Sequence, residues 1–380
     1  MVAEYSDEDW LTIGVSEAVR TLIAGSHFDV EQRKVLCLER ARNLCHRTGV
    51  PDLSVVMRRI AILRQSGLVA EARKLLESLQ LDMNTMTSCA REYVMLILSK
   101  AEIYAHLDRL EDAVQLLDTH PQASSASSTH DKLVTCRVQL SKGRFLRYQG
   151  RFQTALVVLE QVMLQVQSQP QMEGLIDEAF NGLVDLLVDT DPAKAQVLIE
   201  QKSDHKNSRV RVSYADSLLN QKKVLEARLV FQEIARNPHA LGAMAQLRVL
   251  TGLARSYHYD WLVNRAGDAA DQALHHWTKA IAHLREHFPQ EADGRTTAIV
   301  LLALANLRHK VGDKQGALAS MRQIHFFTRQ SGCTPTFDEL RTSQCWLPGL
   351  GKTFLEEILG DFPSDELQSL LDEAYANDRI

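Results

Sequence analysis

The sequence predicts an all-α protein in which antiparallel helix pairs stack into a solenoid. Two observations carry that expectation. Eighteen Gly and nine Pro in 380 residues fall well below ordinary usages of about 7% and 5%, so the residues that punctuate strands and tight turns are scarce. The second is self-similarity. Gly67, Gly150 and Gly312 are each followed five positions later by alanine (Ala72, Ala155, Ala317) and nine positions later by a large apolar residue (Leu76, Leu159, Met321). Ala113/Leu117, Ala195/Ile199, Ala227/Phe231 and Ala273/Trp277 repeat the pair with weaker turns.

The seven alanines are spaced by 41, 42, 40, 32, 46 and 44 residues, a mean near 41. An Ala-x-x-x-large pair is cheap in a helical protein, so the interval is the informative part. A methyl side chain lets two helices approach to about 8–10 Å, while the large residue at i+4 fills the same face. Twelve residues before the alanine, on the partner helix, Ala101, Gly143, Ala215 and Ala305 are small as well.

The organisation follows in chain order. Residues 1–50 read as N-terminal capping helices, with Val15, Val19, Leu22 and Ile23 at helical spacing. Residues 51–330 hold about seven helix-pair repeats. The Ser/Ala/Pro-rich stretch 121–130 is a loop within the array, since the period continues across it. Residues 331–380 read as C-terminal capping helices over 355–360 and 364–376, with Ser364 as an N-cap.

These residues resemble the tetratricopeptide repeat, whose helix pairs carry small residues at the crossings, a large residue at i+4 and often a closing proline. Tyr104, Ala113, Leu117 and Pro121, and Ala215, Ala227, Phe231 and Pro238, fit that pattern best. The period of about 41 exceeds the family's 34, so the array is a divergent one. The resemblance covers roughly residues 51–330 and implies a right-handed superhelix. Gly252 to His258, Ala273 to Ala280 and Cys345 to Gly351 are similar to the C-terminal repeat region of large fungal tetratricopeptide proteins. That resemblance implies sensing of a partner or ligand rather than catalysis.

Charge and composition exclude several classes. Forty-three Lys+Arg against 48 Asp+Glu supply no footprint for duplex DNA or an anionic membrane. The sign is uneven: residues 201–350 carry 20 basic and 13 acidic groups, and residues 351–380 carry 2 and 8, so the basic stretch and the acidic tail can meet. The acidic start MVAEYSDEDW lacks a signal or transit pattern. The longest apolar run, Ala298 to Asn306, is about half the ~18–20 residues a bilayer requires, so a cytoplasmic address and no membrane partner are expected. Cys37, Cys45, Cys89, Cys136, Cys333 and Cys345 form no C-x-x-C pair and read as structural.

Few motifs suggest chemistry. Gly349-Leu-Gly-Lys352-Thr353 resembles the end of a phosphate-binding loop, but Trp346 stands where the first glycine is required; a Pro-Gly turn before a helix is the simpler reading. His283, Glu286 and His287 spell H-x-x-E-H, a zinc-hydrolase pattern that would need a third ligand. His275-His276 and Cys45-His46 point to different helix faces and cannot chelate one metal. No Gly-x-Ser-x-Gly elbow occurs, and no catalytic, cofactor or metal residue is assigned.

The positive expectation is a basic ridge. Arg137, Arg144 and Arg147, at offsets of seven and ten, share one side of a helix and suit carboxylates of an acidic or C-terminal peptide. No Lys-x-x-x-Asn occurs, so a carboxylate clamp of the chaperone-binding kind is not expected. Lys202, Lys206, Arg209, Arg211, Lys222, Lys223 and Arg228 raise an RNA-binding alternative, which the 23 aromatics and the lack of a recurring polar pair disfavour. The expected function is a non-enzymatic interaction scaffold that binds a peptide or protein on its concave face. The alternatives are a nucleotide- or ligand-dependent sensor with enzymatic activity, using Gly351-Lys352-Thr353 or His283/Glu286/His287, and an RNA binder.

Overall fold

The computed structural model describes residues 60, 63, 69–78, 91–106, 109–119, 129–169, 172–202, 208–236, 241–265, 267–287, 294–330, 347–350, 354, 356, 357, 369, 370, 372 and 373. The helices expected at 8–48, the cysteines other than Cys136, most of the loop at 121–130, Pro121, Pro238 and Ser364 lie outside them.

Thirteen helices and no strand occur among the described residues. They are α1 (Val69–Ser78), α2 (Arg91–His106), α3 (Leu110–Asp118), α4 (Thr129–Tyr148), α5 (Phe152–Gln167), α6 (Glu173–Thr190), α7 (Pro192–Gln201), α8 (Ser208–Asn220), α9 (Val224–Ala235), α10 (Ala243–Asn264), α11 (Gly267–His287), α12 (Gly294–Lys310) and α13 (Lys314–Gln330). From α2 onward they form six antiparallel pairs, each joined by a few residues.

The turn chemistry sets the phase of each pair. Gly150 and Gly312 adopt φ of 74° and 90°, a left-handed conformation that costs glycine nothing and stops the first helix. The next residue's N–H then reaches back five positions: Arg151 to the Leu146 carbonyl at 2.9 Å, and Asp313 to the Arg308 carbonyl at 2.8 Å. The same bond joins Lys223 to Leu218 at 3.0 Å across Lys222, whose φ is 65°. Lys222 therefore occupies the glycine position of the α8–α9 turn. In all three pairs the alanine amide bonds back to the carbonyl of that second turn residue: Ala155 to Arg151, Ala227 to Lys223 and Ala317 to Asp313, each at 3.0 Å. The α6–α7 pair uses Asp191 instead, whose carboxylate accepts from the Lys194 amide at 3.0 Å ahead of Pro192.

All seven alanines, Ala72, Ala113, Ala155, Ala195, Ala227, Ala273 and Ala317, are 0% exposed. Of their i+4 partners, Leu117, Leu159, Ile199, Phe231, Trp277 and Met321 are buried and Leu76 is half-buried. Glycine makes room for two of them. A Cβ on Gly143 would meet the Leu159 side chain at 2.6 Å, and one on Gly252 would meet the Phe231 ring at 2.3 Å. Ala101, Ala215 and Ala305, opposite the alanines, are buried too.

Two layers result. The first helices α2, α4, α6 and α8 each pack on the next first helix, the last of them on α10, as well as on their own partners. The second helices α3, α5, α7, α9 and α11 make no comparable contact with one another. A stack held together along one layer and splayed along the other bends toward the joined layer, so the first helices form the inner row. The apolar core lies between the layers.

Replacing Gly252 with alanine tests this packing. Helix propensity favours Gly252→Ala by about 1 kcal/mol. The fully buried Phe231 ring cannot swing clear, so the net expectation in denaturant unfolding is a loss of about 1–3 kcal/mol, partly recovered by Phe231→Leu. Gly182→Ala, whose methyl meets Leu159 at an ordinary 3.4 Å, should leave stability unchanged or raised. A gain from Gly252→Ala would contradict the close approach.

Candidate functional site

The inner row must carry polar groups, because one side of each first helix faces the core and the other faces its neighbours and solvent. In α6 the run Leu183-Val184-Asp185-Leu186-Leu187-Val188-Asp189 sets two carboxylates four residues apart in an otherwise apolar helix. In α10, Arg248 and Arg255 stand seven apart. Both spacings keep the pair on one face. Between them α8 presents Ser213, Asp216 and Asn220.

These residues meet in one ladder. Glu102 of α2 accepts from Arg144 of α4. Arg147 of α4 donates to Asp189 of α6 at 2.6 Å. Asp185 accepts from Ser213 at 3.1 Å, Arg248 at 3.2 Å and Arg209 at 3.4 Å. Asp216 accepts from both Nε and Nη2 of Arg248, at 3.2 and 2.8 Å, and lies 3.8 Å from Arg255. Arg255 donates to Asn220 at 2.6 Å, and Asn220 donates to the Val188 carbonyl at 2.6 Å. Successive first helices are thus stitched by charge-assisted bonds.

Burial pushes Asp216 up to about 6 against the pull of Arg248 and Arg255. Burial also opposes ionisation of Asp185, but Arg248, Arg209 and Arg147 hold it below the usual carboxylate range. Asp189 is raised, chiefly by burial.

The expected basic ridge is divided. Arg137 is exposed, Arg144 is half-buried against Glu102, and the Arg147 side chain is 4% exposed and committed to Asp189. Two of the three arginines are therefore part of the scaffold. Most of the basic cluster is likewise engaged: Lys202 with Asp177, Arg209 with Asp185, Arg211 with Glu233, Lys222 with Glu357 and Arg228 with Asp260. Lys223 donates to Gln196, and Lys206 lies outside the described residues. His283 is buried with Nε2 at 2.7 Å from the Ala243 carbonyl, Glu286 is exposed, and the His283 and His287 rings stand 4.3 Å apart. Among the described residues no three His, Cys, Asp or Glu side chains gather as a metal site. Gly351, Lys352 and Thr353 lie outside them.

A segment from near the C-terminus lies on this row. Leu347-Pro-Gly-Leu350 forms a turn closed by the Leu350 amide on the Leu347 carbonyl at 3.3 Å, with Gly349 at φ 78° as a Pro-Gly turn requires. The Gly349 N–H donates to Asp189 at 2.6 Å. Phe354 is buried, with its ring 4.9 Å from the Arg255 guanidinium, 6.0 Å from Tyr259 and 5.9 Å from Trp277. Glu357 accepts from the Tyr259 hydroxyl and pairs with Lys222. Lys314 pairs with Glu373 at 3.2 Å. The acidic tail and the basic stretch do meet.

Below that segment His258 is 1% exposed. Its Nδ1 lies 3.4 Å from the Trp277 indole nitrogen, its Nε2 has no hydrogen-bond partner among the described residues, and burial drives its pKa down to about 3.

No family model and no curated protein sequence matches the chain. Among solved structures it is similar to a Rap protein complexed with competence and sporulation factor, with 13% identity and a TM-score of 0.53 over 85% of this chain and 88% of that one. The likeness to the APC/C hetero-tetramer Cut9–Hcn1, at 11% identity over 97% and 98% of the two chains, has a TM-score of only 0.27 and carries no weight. The likeness to the Rap protein shows the fold alone, a tetratricopeptide-like stack of helix pairs in divergent form. Among the described residues no helix is long and apolar enough to cross a membrane.

Two measurements test the site. Asp216→Ala takes a buried carboxylate away from two buried guanidinium groups, leaving Arg248 only Asp185 and Ser213 and Arg255 only Asn220, and should cost about 3–5 kcal/mol in unfolding free energy. Removing the exposed Arg109–Asp112 pair should cost at most about 0.5 kcal/mol. His258 is depressed in the folded state, so the unfolded chain alone takes up its proton below the ordinary histidine pKa and stability falls as pH drops through that range. Between pH 7.5 and 5 the wild type should lose about 2 kcal/mol more than His258→Gln; equal losses would remove the assignment.

Proposed function

We propose that the protein is an interaction scaffold whose inner row of first helices binds a peptide or protein partner, acting through recognition rather than catalysis. The observation that carries this reading is the docked turn at Leu347–Leu350. It is gripped through a backbone N–H by Asp189 and is followed by a ring and a carboxylate, which are groups any polypeptide can offer. The row is held rigid by its own ion pairs, so a ligand meets a surface already in place, which lowers the ordering cost of binding. Exposed Arg137 and half-exposed Arg209 stand on the same row and extend it with guanidinium groups suited to carboxylates. The Rap protein of similar fold is itself complexed with a factor, in keeping with this use of the architecture.

Site-specific photo-cross-linkers test the reading at the exposed edge of the row: Arg137 stands outside the ladder, and Arg209 is its half-exposed member, whose loss leaves Asp185 its bonds to Arg248 and Ser213. Placed at Arg137 and Arg209 on the inner row, they should form adducts with polypeptides in a cell extract. The same groups at Val157 and Leu229, exposed on the second helices, should form few or none. Adducts confined to Val157 and Leu229 would overturn the inner row as the binding face.

A further inference from the structure

The described residues of the 347–357 stretch, the Leu347–Leu350 turn with Phe354 and Glu357, reach back along the array, the turn as far as Asp189, 160 residues earlier than Gly349. Its grip depends on three transferable groups: a turn amide, the Phe354 ring and the Glu357 carboxylate. The groups that receive it keep partners of their own. Asp189 remains paired with Arg147, and Arg255 with Asn220 and Asp216. The Lys222 side chain is 52% exposed and lies 4.3 Å over the Tyr259 ring. Removing the segment therefore strands no buried ion pair; it uncovers an apolar floor of Tyr259 and Trp277 flanked by the positive charges of Arg255 and Lys222. A site of that composition fits an aromatic side chain over a guanidinium beside a carboxylate.

Resting on the inner row as a binding surface, we propose that this floor between α8, α10 and α11 is the docking site for a partner polypeptide. That partner presents an aromatic side chain followed three residues later by a carboxylate, and binds by displacing Phe354 and Glu357. The chain's own segment is the resident occupant. Being tethered, it competes at an effective concentration on the order of mM, so a partner prevails only with contacts beyond those the segment makes. The apparent affinity for the partner is reduced by the fraction of molecules in which the segment is docked.

The probe is a fluorescein-labelled peptide of residues 347–357, LPGLGKTFLEE, titrated into full-length chains and followed by anisotropy. Glu357→Lys in the chain repels Lys222 and loosens the resident segment. That chain should bind the labelled peptide at least about tenfold more tightly than wild type. A peptide with Phe354→Ala should bind neither. A peptide carrying Glu357→Lys should bind only a Lys222→Glu chain, a charge swap that merely unfolded protein would not reproduce. In hydrogen exchange, saturating peptide should strip protection from the Leu347, Gly349 and Leu350 amides of the wild-type chain while α6, α8, α10 and α11 stay protected.

Equal affinity for wild type and the Glu357→Lys chain, or unchanged exchange at saturating peptide, overturns the proposal. Dimers that exchange the segment between copies would assign the floor to a second copy and overturn it as well. Adducts at Arg137 and Arg209 together with either result would leave the inner row as a binding face and remove only the displacement.

Discussion

A methyl side chain at each helix crossing is the constraint from which this structure follows. The left-handed residue at Gly150, Lys222 or Gly312 ends one helix, and the following residue opens the next. Four positions later the alanine faces back across the hairpin at a fixed phase. Anything larger would separate the helices, and the large residue at i+4 would lose the niche that Gly143 or Gly252 leaves for it. Because interiors are close-packed, that spacing passes from pair to pair and fixes the distance between neighbouring first helices.

That distance explains the polar ladder. First helices near enough to pack on each other bring Asp185, Asp189 and Asp216 within reach of Arg147, Arg248 and Arg255. A charge so close to an apolar core is tolerated only when paired and hydrogen-bonded. Each carboxylate accordingly meets a guanidinium, and Asn220 closes the series by donating to a backbone carbonyl. The row that results is polar without being hydrated throughout, and stiff enough to present a surface.

The tail completes the inner face. Its Pro-Gly turn offers a backbone donor to Asp189, its aromatic ring sits over Arg255, and its carboxylate meets Lys222 and Tyr259. The two positive charges it touches belong to different elements, one in α10 and one in the α8–α9 turn. The docking is therefore a property of the stacked array and not of any single repeat.

By itself the sequence determined the helix pairs, their phase and their interval, because alanine, turn residue and large side chain are all local and recur. It also showed that an acidic tail could meet a basic stretch, since net charge needs no coordinates. The ridge of Arg137, Arg144 and Arg147 was placed correctly on one helix, yet helical spacing could not show that Glu102 and Asp189 would claim two of its members. Aspartates four apart in the apolar run of α6 were a readable sign of buried polar work. Which guanidinium each carboxylate meets, and that Gly349 would settle on Asp189, were decided only by the tertiary structure. Those partners lie between 24 and 160 residues apart, and the superhelical stacking that closes such distances is a sum over many pairs that no local pattern records.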